Sequence, residues 1–302
     1  MTIIAGFRCQ DGIVVCADTQ ETMGDAKKNV QKLQFHSGPF YDDEKQAMIN
    51  ADLAVAFAGA GHGPFVDKIV GRAWNSVRAV SDIWEAADAI EAVIKSTYEE
   101  FGSIYQTGNC PHAELVYGIK MGCHSRLFHA YGPIVNEKDY VSSGIGYYLA
   151  DFLSGRMYGA HLTTRQCVIL AAYILYQTKE HVEGCGGESQ IVVLRNAEPS
   201  GNVECKLVDE VTEFLKLADK ELGELLLSSA NFSEPNELVD KQFGETLETV
   251  RLFRDHHKGE LEKHRKWWNE NSFLGITIEC DDLGIAISTD VPQADQLPDE
   301  QH

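Results

Sequence analysis

Three residues in the first part of the chain could do chemistry together. Thr2 carries a hydroxyl nucleophile that stands at the chain terminus once Met1 is removed. A free α-amino group has an ordinary pKa of about 7.7–8.0, so one residue would supply both nucleophile and base. Asp18 and Lys32 are charges set inside apolar-patterned segments, where an unpaired charge is costly, and pairing them satisfies both. If Lys32 also lies beside Thr2, its positive charge disfavours protonation of the amine and stabilises alkoxide character on Thr2 Oγ1. Spacing alone leaves a second reading open, in which Lys32 and Asp18 form a structural ion pair between neighbouring strands.

The segments that must position these residues begin as strands. Ile3-Ile4-Ala5-Gly6-Phe7 and residues 12–17 are apolar runs separated by the turn signal Gln10-Asp11-Gly12, which predicts a hairpin. A polar, Lys-rich loop over 21–29 leads to residues 30–35, whose period-two alternation predicts a half-buried strand carrying Lys32. A further apolar run over 53–58 ends at the turn Gly59-Ala60-Gly61-His62-Gly63. Phe65, Ile69, Ala73 and Val77, then Ile83, Ala87, Ile90 and Ile94, recur at helical spacing and predict two adjacent helices. Strands at 114–121 and 126–131, helices at 144–157 and 163–179, and strands at 190–194 and 203–207 complete the pattern. This order segregates helix pairs from antiparallel strands, which predicts an α+β layered sandwich and argues against a Rossmann or barrel fold. Beyond about residue 210 come two amphipathic helical segments, marked by Leu215, Ala218 and Leu222 and then by Val239, Phe243, Leu247 and Val250. A hairpin signal surrounds Asp281-Asp282. The expected division is therefore a domain over 1–210 and a helical extension over 211–302 that ends in a short hairpin and a frayed tail.

Composition narrows the function classes. A net charge of −20 would repel a phosphate backbone, so no nucleic-acid partner is expected. No run reaches the roughly 18 apolar residues of a membrane span, no basic segment followed by an apolar stretch opens the chain, and the cysteines form no C-x-x-C pair. These features point to a reducing cytoplasm, no membrane partner and free thiols. The histidines lack metal-ligand spacing and the glycine turn lacks the Lys-Ser/Thr ending of a phosphate loop, so neither metal nor cofactor is expected. Trp267-Trp268, after a long charged helix, could anchor a partner, although packing within the extension is the commoner outcome.

Beyond these readings, Thr2-Ile3-Ile4-Ala5-Gly6, the stretch Asp18-Thr19-Gln20-Glu21-Thr22-Met23-Gly24 and Asn29-Val30-Gln31-Lys32-Leu33 resemble the opening of a proteasome β-type subunit. The Asp-x-Gln-x-Thr-x-Gly string is most similar to HslV, the peptidase subunit of a bacterial two-component ATP-dependent protease. Phe57-Ala58-Gly59-Ala60-Gly61, Val141-Ser142-Ser143-Gly144 and Cys185-Gly186-Gly187 resemble further family segments.

The resemblance covers about residues 2–210 and implies a proteasome-like, four-layer αββα sandwich of two antiparallel sheets flanked by helix pairs, the N-terminal-nucleophile hydrolase fold. It implies a threonine-type peptidase with Thr2 as nucleophile, the Thr2 amine as base through a water, Lys32 as the activating cation and Asp18 as its orienting partner. It also implies the Gly59 N–H as oxyanion donor, Ser143 as support for the terminal amine, and Phe57, Glu21 and Val30 as lining of the pocket before the cleaved bond. A peptide or protein substrate, a homo-oligomer and an ATP-dependent unfoldase are the implied partners. The Val-x-Lys-Leu pattern selects Lys32 over Lys27 and Lys28. Val182, with Glu183 beside it, and Cys185 stand where the family places an Asp and a Ser, which lowers the expected support for the amine. Two alternatives remain open: a catalytically silent proteasome-like scaffold, and an amidohydrolase acting on a small amide.

Overall fold

Strands that are apolar along nearly their whole length need cover on both faces, and the first two strands are of this kind. The computed structural model describes residues 2–23, 26–42, 47–49, 52–104, 110–197, 199–231, 233, 235–271, 277–281 and 284–288. In chain order its strands and helices run β1 Ile3–Cys9, β2 Gly12–Asp18, β3 Gln20–Met23, β4 Ala26–Asn29, β5 Leu33–Ser37, β6 Phe40–Asp42, β7 Ala47–Ile49, β8 Ala54–Gly61, α1 Gly63–Ser76 and α2 Ile83–Ile104. They continue with β9 Ala113–Met121, β10 His124–Tyr131, β11 Ile134–Lys138, β12 Tyr140–Gly144, α3 Tyr147–Met157, α4 Thr164–His181, β13 Ser189–Arg195, β14 Gly201–Asn202, α5 Cys205–Ser229, α6 Asn236–Asn271, β15 Thr277–Asp281 and β16 Gly284–Ser288.

The result is a mixed α/β chain with two five-stranded antiparallel sheets, ordered β12-β1-β2-β13-β14 and β11-β10-β9-β8-β5. The alternation of side chains along each strand decides which core each residue joins. Ile4, Ile13, Val15, Ala17, Val192 and Leu194 of the first sheet pack against Leu33, Ala56, Ala58, Val116 and Leu127 of the second. On the other face of the second sheet, Val55, Phe57, Leu115, Tyr117 and Ile119 pack under Phe65, Ile69, Ala73, Ile90 and Ile94 of α1 and α2. Helix α4 lies on β1, β2 and β13, and it buries Cys167, Leu170, Ala171 and Ile174. Its start is secured by a capping box between Thr163 and Gln166. The two sheets approach closely at Gly6, where an added Cβ would come within 2.7 Å of Leu127 Cδ1 and Val116 Cγ1.

Several sequence expectations change here. Lys32 does not lie on a strand: residues 30–32 form a connection, and β5 begins at Leu33. The polar stretch expected as a loop holds the hairpin β3–β4. The segment expected as a strand at 203–207 is instead the start of α5, after the two-residue β14. Strands β11 and β12 escaped notice because β11, Ile-Val-Asn-Glu-Lys, is an exposed edge with no apolar face. The chain divides into two compact units, Met1–Leu215 and Lys216–His302, with the division falling within α5. In the second unit β15 and β16 pair as a hairpin. Met1 and the side chains of Trp267 and Trp268 lie outside the described residues. No described helix is long and apolar enough to cross a membrane.

Leu127 is fully buried between the sheets. Leu127→Ala is expected to lower unfolding stability by roughly 2–5 kcal/mol, read as a lower midpoint in urea with an unchanged m-value.

Candidate active site

Antiparallel pairing brings the start of β1 beside the end of β2, since Ile4 faces Ala17. It likewise sets Ser189, at the start of β13, opposite Asp18, and Gly144, at the end of β12, opposite Ile3. Thr2 and Asp18 therefore meet at one end of the first sheet through register alone. Both are buried, Thr2 at 4% exposure and Asp18 at 0%.

The Asp18 carboxylate is saturated with donors. Its Oδ1 accepts from the Thr2 hydroxyl, from Ile3 N at 3.1 Å and from Lys32 Nζ at 2.8 Å, while Oδ2 accepts from Gly186 N at 2.9 Å. Lys32 reaches this carboxylate from the second sheet's side, with its own side chain 8% exposed. Its ammonium also donates to Thr2 Oγ1 at 2.5 Å and to the Gln20 carbonyl. Thr2 Oγ1 thus accepts from a cation and donates to an anion, a polarised hydroxyl within a buried pair whose charges stabilise each other. The Lys32 backbone is held as well: Gln190 Oε1 accepts from Lys32 N at 3.1 Å and from Leu33 N at 3.2 Å. Lys27 and Lys28 lie instead on the exposed strand β4, where Lys28 pairs with Glu21 at 2.8 Å.

Gly59 and Ser143 stand differently from their sequence-based roles. The Gly59 N–H donates to the Lys32 carbonyl at 3.0 Å, so in this conformation the expected oxyanion donor is already engaged. Ser143 is buried, and its hydroxyl donates to Glu114 Oε2. Phe57 is 1% exposed and stacks among Tyr117 and the helix-facing core, so it fills that core instead of lining a pocket. Val182 caps α4 through a backbone bond to Thr178. Cys185 is buried beside the pair, where burial first and the Asp18 charge second push its thiol up to about 12 against the opposing Lys32. It is a neutral thiol at ordinary pH and a weak hydrogen-bond donor.

Sequence reasoning missed Glu114, Gln190 and Gly186. Glu114 carried the same signal as Asp18 and Lys32, a charge at the edge of an apolar run, whereas the Gln190 and Gly186 contacts join residues far apart in sequence. Burial raises the Glu114 pKa, but hydrogen bonds from Ser143, His112 and Gly144 outweigh it and hold the carboxyl below its usual value. Among the described residues no group of three or more His, Cys, Asp or Glu side chains could hold a metal ion.

No protein-family model and no curated protein matches the sequence significantly. Solved structures do match. The chain is similar in fold to Anbu, the ancestral β-subunit, from Yersinia bercovieri, with 15% identity over 78% of this chain and 98% of that one and a TM-score of 0.58. Anbu from Pseudomonas aeruginosa, solved as a helical assembly, matches over 74% and 96% with 11% identity and a TM-score of 0.60. An Anbu mutant from Hyphomicrobium sp. strain MC1 matches over 74% and 97% with 14% identity and a TM-score of 0.57. These neighbours overturn the assignment to the proteasome β-type and HslV subunits: the fold is that of Anbu, a proteasome-related lineage distinct from both.

Removing one partner of the buried pair strands the other's charge. Lys32→Met is expected to cost roughly 3–5 kcal/mol in urea unfolding, and the double variant with Asp18→Asn should regain part of that loss.

Proposed function

We propose that the chain is an N-terminal-threonine hydrolase that cleaves peptide or other amide bonds, with Thr2 as nucleophile after removal of Met1. The observation that carries this reading is the Lys32 ammonium 2.5 Å from Thr2 Oγ1, within a buried pair with Asp18. A cation at that distance stabilises developing alkoxide character, and Asp18 holds both the cation and the hydroxyl. In this reading the Thr2 amine takes the hydroxyl proton through a water while Oγ1 bonds to the substrate carbonyl carbon. The C–N bond then breaks, the departing amine leaves with that proton, and water cleaves the resulting ester to free the acid and Thr2.

Ser143 helps to hold the amine in this scheme, and Gly59 serves the oxyanion by sharing the N–H that it now donates to Lys32. Residues 1–210 are read as a four-layer αββα N-terminal-nucleophile domain, with the two face-to-face sheets between their helix pairs, and residues 211–302 as a helical extension. A proteasome-like homo-oligomer is supported by the Pseudomonas Anbu complex, which forms a helical assembly. Exposed Tyr148, Phe152 and Met157 on α3 also fit an assembling surface. Peptide or protein segments, with an ATP-driven unfoldase to deliver them, complete the reading. Free buried thiols at Cys9, Cys16, Cys167 and Cys185 suit a reducing cytoplasm.

One observation favours a silent scaffold instead: the Gly59 N–H is committed to Lys32 O. A small-amide substrate is favoured by the burial of Phe57 in the helix-facing core, where it lines no side-chain pocket.

Intact mass of the purified protein should show loss of Met1, and a peptide epoxyketone should label the wild type but not Thr2→Ala. Retained Met1, or labelling that survives in Thr2→Ala, would rule the hydrolase out. Met1 loss without any labelling would select the scaffold.

A further inference from the structure

A second charged side chain crosses between the sheets next to Thr2. Glu114 opens β9 of the second sheet opposite Ala60, yet its carboxylate serves the first sheet. Oε2 accepts from the Ser143 hydroxyl and from Gly144 N at 3.2 Å, and Oε1 meets His112 Nε2 at 3.1 Å. Gly144 in turn lies directly against the Thr2 main chain. Its φ is +86°, and an added Cβ would stand 2.4 Å from Thr2 O and 2.9 Å from Thr2 Cγ2. Gly146 N donates to Thr2 O at 3.3 Å from the same turn. Glu114 therefore grips the two residues that form the wall behind Thr2.

We propose that Glu114 is a positioning residue for Thr2, holding the Ser143–Gly144 wall in place and fixing the direction of the Ser143 hydroxyl. This rests on the reading of Thr2 as nucleophile. With its proton committed to Glu114, Ser143 Oγ turns its lone pairs outward and can accept a hydrogen bond from the terminal amine. The negative charge of Glu114 also favours the protonated amine, in opposition to Lys32.

The groups facing Glu114 are His112 just before β9, His129 on β10, Tyr98 on α2 and Tyr147 on α3. Those around Thr2 are Lys32, Asp18 and Cys185. Because the amine must lose its proton to act as base, Thr2 labelling should rise with pH through the amine's pKa. Replacing the carboxylate with an amide lowers that pKa and moves the rising limb to lower pH.

The test is the rate of epoxyketone labelling against pH for wild type, Glu114→Gln, Glu114→Asp and His112→Ala, each with a thermal melt to confirm folding. Glu114→Gln should label about tenfold more slowly on the plateau and show the limb at lower pH. Glu114→Asp should keep the limb while losing part of the plateau, and His112→Ala assigns any contribution of the imidazole. The amine's pKa, read separately from reductive methylation of intact protein against pH, should fall in Glu114→Gln as well. A wild-type plateau, limb and amine pKa in Glu114→Gln would refute the role of Glu114 alone. A lower plateau with an unmoved limb and amine pKa would reduce Glu114 to a structural strut. Labelling that persists in Thr2→Ala would remove the nucleophile reading and this inference together.

Discussion

The buried ion pair between Lys32 and Asp18 is the constraint around which the first unit is organised. Two charges taken out of water cost several kcal/mol each unless every lone pair and proton finds a partner. Asp18 meets that condition through four donors drawn from four segments: the chain start, β1, the connection before β5 and the turn before β13. Lys32 meets it by linking Asp18 to Thr2 and to the Gln20 carbonyl. None of these segments can shift far without exposing a charge to an apolar interior. The same network that holds the chain start in place polarises its hydroxyl.

The surrounding fold makes such closeness affordable in volume. Small residues line the approach between the sheets, with Gly6 opposite Leu127 and a row of alanines at 54, 56 and 58 facing the inter-sheet core. Larger side chains of the same strand, Val55 and Phe57, turn outward to fill the space under α1 and α2. One strand thus serves a thin core and a thick one through its period-two alternation. At the end of this thin core the polar site sits between Lys32 and Glu114, both delivered from the second sheet's side to a threonine carried by the first.

That arrangement also explains how the fold of Anbu is kept at 11–15% identity. Cores specify volume and pattern more than particular side chains.

By itself the sequence determined the order of strands and helix pairs, because periodicity and apolar runs report burial locally. It also marked Thr2 by its hydroxyl beside Met1, and Asp18 and Lys32 because a charge within an apolar run signals a partner. It misread the polar hairpin β3–β4 and the edge strand β11, where exposure leaves no pattern to follow. The tertiary structure alone decided that Lys32 reaches across from the second sheet's side, that Gln190 holds its backbone, that Gly59 spends its N–H on Lys32 and that Glu114 stands behind Ser143. Each of these is a contact between residues distant in the chain, and its geometry is set by strand register and the spacing between sheets, quantities that no local stretch of residues encodes.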